Sequence, residues 1–350
     1  MLMSFRWYGA NDKVTLEMIR QIPVIKGIVG ALYDIPAGEV WPLRSLQDLS
    51  GTVKSKGFTL SAIESIPVHD NIKLGSGDFD KLTDNYCQSI RNMAKAGIST
   101  LCYNFMPVFD WTRSNLAMNL PDGSNCLSYD DAEVLAMDLS KGTRGLPGWS
   151  TEYDASDLKR LMDAYTELGS DGLWTNLERF LKKVVPVAQE VDVKMGIHPD
   201  DPPWPIFGLP RIICDEAGID RFLKIVDVKH HGLSLCTGSF GVSPANDIPK
   251  MVRKYSAAGR IHFAHIRNVR INGQHSFNET AHPTECGSLD IAEIVKAYVE
   301  TGFDGVMRPD HGRMIWGETG RPGYGLYDRA LGAMYLAGLW EAFKKGSRHA

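Results

Sequence analysis

Short apolar runs alternate with longer amphipathic stretches along almost the whole chain. Eight of the runs read as strands: residues 4–9, 27–33, 60–66, 99–105, 194–200, 232–238, 260–268 and 305–307. Their apolar, β-branched character suits parallel strands buried on both faces. Between them lie helical patterns. Asp12 introduces one whose apolar positions Val14, Met18 and Ile22 recur at a spacing of four. Residues 43–56 read helical up to Gly57, and Asp78 starts a long helix through Ala96 that Gly97 closes. A helical region from Asp154 or Ser156 to about Glu190 is expected to break near Gly169-Ser170-Asp171-Gly172. Helices over 219–226, 245–258 and 291–301 separate the last strands, and an amphipathic helix over 327–345 closes the chain.

Strands and helices alternating over one continuous chain predict an α/β fold, a (β/α)8 TIM barrel, as a single domain over residues 1–350. Residues 106–151 break the rhythm with a long Gly, Asn, Ser and Pro-rich connection after strand four, expected to be a lid-like insertion. A doubly wound sheet is the fallback, but Gly75-Ser76-Gly77 lacks the third glycine of a dinucleotide fingerprint and reads as a turn.

Composition narrows the class of function. The chain is 43% hydrophobic and 23% charged, ordinary for a globular enzyme. A formal charge of −4 gives no electrostatic reason to expect nucleic acid or an anionic membrane as partner. No apolar run approaches the ~18 residues of a membrane span. The opening Met1-Leu2-Met3-Ser4-Phe5-Arg6 is unlike a secretory signal, and none of the six cysteines forms a C-x-x-C pair. Reduced thiols in a cytoplasmic protein are the expectation. Walker, nucleophile-elbow and H-E-x-x-H motifs are all missing from the sequence.

The candidate chemistry lies at the ends of the last four strands. These carry His198, Cys236, His265 and Asp310. In a barrel, consecutive strand ends surround one point on the C-terminal rim, and a divalent cation needs such convergent donors. A thiolate in the set favours Zn²⁺ or Fe²⁺ over Mg²⁺. His262 and His265 differ by three, so only one faces the barrel interior. His265 is nearer the rim, and His262 is expected in the core. Next to Asp310, His311 is placed for acid/base work, since imidazole exchanges protons near neutrality. Arg267, Arg308 and Arg113 can grip a substrate carboxylate by a bidentate fork. Glu279 and His282 sit in a polar segment after a strand that could cover the site. The stiff loop Gly320-Arg321-Pro322-Gly323-Tyr324-Gly325 can present the Tyr324 hydroxyl as a proton donor.

The stretch from Tyr103-Asn104-Phe105 to Asp110-Trp111-Thr112-Arg113 carries a recognisable combination together with Cys236-Thr237-Gly238-Ser239, His265-Ile266-Arg267-Asn268-Val269 and Arg308-Pro309-Asp310-His311-Gly312. With Phe5-Arg6-Trp7-Tyr8-Gly9 and Glu64-Ser65-Ile66-Pro67-Val68-His69, it resembles the mannonate dehydratases, metal-dependent bacterial enzymes on a xylose-isomerase-like barrel. Asn104 and Asn268 lie inside these motifs and join the substrate-binding candidates. The resemblance implies dehydration of D-mannonate to 2-keto-3-deoxy-D-gluconate in hexuronate (glucuronate) breakdown. It also implies Mn²⁺ or Fe²⁺, with Mn²⁺ preferred to the Zn²⁺ that softness alone would favour. A homodimer is expected. The rival reading is a metal-dependent sugar isomerase or epimerase on the same barrel. Such enzymes pair acidic bases about the metal, whereas these strand ends supply one clear carboxylate. A phosphodiester-cleaving relative would want a basic surface, and a sugar-acid binding protein would not need His311 and Tyr324.

Overall fold

The computed structural model describes residues 1–139 and 155–346. Twelve strands occur among them, in chain order β1 (Leu2–Arg6), β2 (Gly27–Gly30), β3 (Thr59–Glu64), β4 (Thr100–Tyr103), β5 (Asn115–Asn119), β6 (Asn125–Asp130), β7 (Lys194–Ile197), β8 (His231–Cys236), β9 (Ile261–Ile266), β10 (Val269–Gly273), β11 (Ser276–Glu279) and β12 (Val306–Pro309). Strands β1, β2, β3, β4, β7, β8, β9 and β12 close into a parallel barrel, β12 pairing with β1. These are the eight runs expected from the sequence; seven end earlier at their polar ends, whereas β12 runs on through Arg308 and Pro309.

Two apolar layers hold the barrel. A small cluster of Val29, Ala62, Cys102, Phe263 and Val306 fills the interior. A far larger one packs between the barrel and the helices, which include Leu43–Ser55, Phe79–Lys95, Ile248–Ala257 and Ile291–Glu300. Successive strand residues point to opposite faces. The residues two positions beyond the inner cluster are therefore Ala31, Glu64, Asn104, His265 and Arg308, all displayed at the C-terminal rim.

Several expected elements were adjusted. Only Leu16–Arg20 of the first amphipathic stretch is helical, capped by Thr15, and Met18 is 41% exposed, so its spacing was not a core stripe. The long helix Ala155–Glu190 does break, at Gly169 with φ +64°, a conformation glycine adopts without steric cost. The larger change concerns residues 106–151. Within that stretch β5 and β6 pair with β11 and β10 in a four-stranded antiparallel sheet, ordered β10-β11-β6-β5. Residues 140–151 of the stretch lie outside the described residues. Glu279 ends β11 instead of sitting in a loop. The sheet is joined to the segment after β12 by a bridge between Asn125 and Met314. Connections from β4 and β9, distant in sequence, thus combine beside the barrel rim.

Candidate active site

Strand register places the candidate ligands side by side. Cys236 on β8 and Arg308 on β12 are both register partners of His265 on β9, and His198 follows β7 directly. The ligand atoms of His198, Cys236 and His265 lie within 4.8 Å of one another. Asp310 stands against this trio. The Cys236 thiol donates to Asp310 Oδ2 at 3.4 Å, while Asp310 Oδ1 lies 2.7 Å from Arg308 Nη1. His262, on the opposite face of β9, is buried away from the site.

These residues suit a transition-metal ion. His198 Nδ1 donates to the carbonyl of Pro199 at 2.8 Å, which leaves Nε2 as its ligand atom. His265 Nε2 is buried with no hydrogen-bond partner. Burial depresses the pKa of both imidazoles, His265 strongly, with Arg308 adding to the effect there, so each is a neutral donor. Burial pushes the Cys236 thiol up to about 12 in the protein alone. A bound divalent cation inverts that preference, because a coordinating thiol is deprotonated. Burial opposes charge on Asp310 as well, but Arg308, His311 and Arg267 outweigh it and hold the carboxyl well below its usual range.

The proposed acid/base pair is in direct contact. His311 Nε2 is 2.9 Å from the Tyr324 hydroxyl, and the rings meet edge-on with centroids 4.7 Å apart. The Trp111 ring also packs against His311, with centroids 5.5 Å apart. A cleft on this rim is lined by His198, Asp201, Arg267, Arg308, Asp310, His311 and Tyr324, with Asn104, Asp110 and Trp111. It adjoins a larger cavity that shares Ser65, Asn104 and Asp110 and reaches His69 and Lys73.

The three arginines are held by carboxylates within the protein. Glu64 receives a bidentate fork from Arg308, at 3.2 Å from Nε and 2.8 Å from Nη2. That pairing overcomes burial and lowers the Glu64 carboxyl to about 2. Arg113 and Arg267 are both paired with Asp201 and with Glu279, in contacts of 2.6 to 3.0 Å. Of these two, Arg267 reaches the cleft and Arg113 does not line it. Neither Asn268, Glu279 nor His282 lines the cleft. The Asn268 side chain braces backbone, accepting from Val269 and Leu289 N–H groups and donating to the Pro283 carbonyl. His282 is buried near Gly332 in the helix Tyr327–Gly346.

Sequence reasoning missed Asp201 and Trp111 and left Glu64 aside. Asp201 lies three residues beyond His198, in a position that motif reading could have flagged. Glu64 could have been found from its place two residues beyond the inward-facing Ala62 on β3.

The family description "D-mannonate dehydratase (UxuA)" matches residues 1–350. The chain belongs to the mannonate dehydratase family. It is 53% identical over 348 residues to the mannonate dehydratase of Streptococcus uberis, covering 99% of this chain and 100% of that protein. Against the enzyme of Streptococcus agalactiae serotype III identity is 54%, with the same coverage. The crystal structure of mannonate dehydratase from Streptococcus suis serotype 2 superimposes with a TM-score of 0.93 at 47% identity, over 99% of this chain and 96% of that one. An L-ribulose 3-epimerase, 13% identical with a TM-score of 0.56 over 99% and 97% of the two chains, shares the barrel alone. The mannonate dehydratase reading therefore stands over the isomerase one. The activity is that of a hydro-lyase, elimination of water from the sugar acid D-mannonate to give 2-keto-3-deoxy-D-gluconate. Among the described residues no helix is long and apolar enough to cross a membrane.

Proposed function

We propose that this dehydration takes place in the rim cleft, with a divalent cation, Mn²⁺ or Fe²⁺, held by His198, Cys236 and His265 with Asp310. The observation that carries the reading is the convergence of two neutral imidazoles and a thiol within 4.8 Å, beside an ionised carboxylate and the His311–Tyr324 pair. Bound there, the ion supplies Lewis acidity for the negative charge that develops as the substrate loses its C2 proton.

The chain's own residues account for the rest. His311 Nε2 takes the C2 proton, and the Tyr324 hydroxyl protonates the departing C3 hydroxyl, which leaves as water. The resulting enol tautomerises to the 2-keto acid. Burial raises the Tyr324 pKa well above its ordinary value, so the hydroxyl carries its proton at neutral pH. The 2.9 Å contact between Nε2 and the hydroxyl then lets the captured proton pass from imidazolium to tyrosinate. Both groups return to their starting state with no net proton consumed. Arg267, Arg308 and Asn104 line the cleft as substrate-binding groups. Arg113, Asn268, Glu279 and His282 support it from behind.

Six free cysteines favour a reducing compartment, consistent with a cytoplasmic enzyme. Exposed Trp316, Leu331 and Met334 favour a homodimer. The test of the central reading is metal-stripped protein with D-mannonate, with and without Mn²⁺, followed by 2-keto acid formation. Product formed only with metal is expected. Equal turnover with and without metal would remove the cation from the reaction.

A further inference from the structure

Beside the cleft lies a buried network of opposite charges whose members come from the connections that follow five different barrel strands. Arg113 follows β4, Asp201 follows β7, Ser239 lies in the helix Thr237–Gly241 after β8, Arg267 follows β9, Glu279 ends β11 and His311 follows β12. Asp201 accepts from Arg113 at 2.8 Å, from Arg267 at 2.6 Å and from the Ser239 hydroxyl at 3.0 Å. Glu279 collects its partners on one oxygen. Its Oε1 lies 2.9 Å from Arg113 Nη2, 3.0 Å from Arg267 Nη1 and 2.6 Å from His311 Nδ1.

The protonation of His311 Nδ1 follows from these distances. Arg267 Nη1 is also near it, at 2.8 Å. A guanidinium only donates, and an ionised carboxylate only accepts. The two neighbours therefore make opposite demands on Nδ1. A bare Nδ1 would put its lone pair 2.6 Å from a full negative charge. A protonated Nδ1 makes that shortest contact a charge-assisted hydrogen bond, and Arg267 keeps Oε1 and Asp201 as its acceptors. The hydrogen belongs on Nδ1.

We propose that Glu279 is a positioning residue for the dehydration, fixing His311 in the tautomer that carries its hydrogen on Nδ1 and turns a bare Nε2 toward Tyr324 and the cleft. This rests on the reading of His311 as the group that takes the C2 proton. Glu279 is wholly buried and does not line the cleft, so it acts through His311 instead of touching substrate. Its charge also faces the imidazolium formed when the C2 proton arrives. The Arg113–Asp201–Arg267 network holds the carboxylate in place. A change in any of the other connections is thereby felt at His311.

A double-mutant cycle on the metal-loaded enzyme tests this. In Glu279→Gln the amide can present its NH₂ to Nδ1 and turn the imidazole to the other tautomer. A carboxylate-to-amide change at such a position costs roughly 10²–10⁴-fold in turnover. We expect kcat to fall by about 100-fold or more with KM within about threefold of wild type. On a His311→Asn background the same change should cost nothing further. Near-wild-type kcat in Glu279→Gln, or a loss that adds in full to that of His311→Asn, would overturn the proposal. Near-wild-type turnover in His311→Asn alone would instead overturn the assignment of His311. A neutron structure of the wild-type holoenzyme decides the matter if the variant does not fold. A deuteron on Nδ1 is expected, and a bare Nδ1 accepting from Arg267 would sink the idea.

Discussion

Cys236 is the donor whose chemistry differs most between the bare and the metal-loaded protein. Burial favours its thiol, which donates to Asp310, whereas a transition metal demands the thiolate. Replacing the anionic thiolate by a neutral hydroxyl removes one ligand charge from the site and should weaken it for any divalent ion. Cys236→Ser is expected to lower Mn²⁺ affinity by about 10-fold or more, read by competition with a chelating dye. His311 sits beside a proposed ligand without being one. His311→Asn should lower kcat by roughly 10²–10⁴-fold with metal content unchanged by elemental analysis. Loss of metal in that variant would show that His311 helps to hold the ion. Tyr324→Phe removes the 2.9 Å partner of His311 and should behave similarly.

The elements meet the site through close packing as well as hydrogen bonds. The helix Thr237–Gly241 begins where β8 ends, and the Arg267 side chain crosses directly over Gly238. An added Cβ there would overlap the guanidinium stem, so the arginine that ties Asp201 to Glu279 has to move. Gly238→Ala is expected to destabilise by about 1–3 kcal/mol and to lower turnover with it. Urea unfolding and steady-state rates on one preparation check both. Retained stability and rate would mean that the network tolerates a displaced Arg267. The antiparallel sheet matters at this scale too, since β11 delivers Glu279 and the segment before β5 delivers Arg113. Two segments that look like surface loops in sequence thereby brace a residue on the barrel rim.

At the scale of the whole molecule, two further histidines are buried away from the site. Burial lowers His231 to about 4 and His262 to about 3. An unfolded histidine titrates near ~6.5, so below that pH the unfolded chain binds protons that the folded one refuses. Their stability contribution is therefore complete above ~6.5 and is lost as pH falls toward the folded values, by up to about 1.4 kcal/mol per pH unit for each group. Urea unfolding between pH 6.5 and 5, above the main carboxylate range, should show this slope. A flat profile would place one or both rings in a protonated, solvated state. Metal acts on the same balance from the other side. An ion present at about 100 times its dissociation constant adds roughly 2.7 kcal/mol by mass action. Chelation should then lower Tm, and added Mn²⁺ should restore it.

The order and type of the barrel elements follow from the chain alone, because buried parallel strands and amphipathic helices leave short-range patterns of different period. The same patterns locate His198, Cys236, His265 and Asp310 at strand ends, and barrel closure brings three of them into one cluster without further information. The choice of His265 over His262 also follows from the two-residue period of a strand. Tertiary structure decides what depends on contacts between distant segments. The pairing of β5 and β6 with β10 and β11 leaves little local trace, since these strands are short and the edge strands β5 and β10 are largely exposed and polar. Asp310 faces Arg308 as well as Cys236 for a related reason, because its partner is set by packing across the rim. The arginines that looked ready for a substrate carboxylate are paired with Glu64, Asp201 and Glu279. Burying a guanidinium requires a nearby counter-charge. Which carboxylate supplies it is settled only when the barrel closes and brings separate connections together.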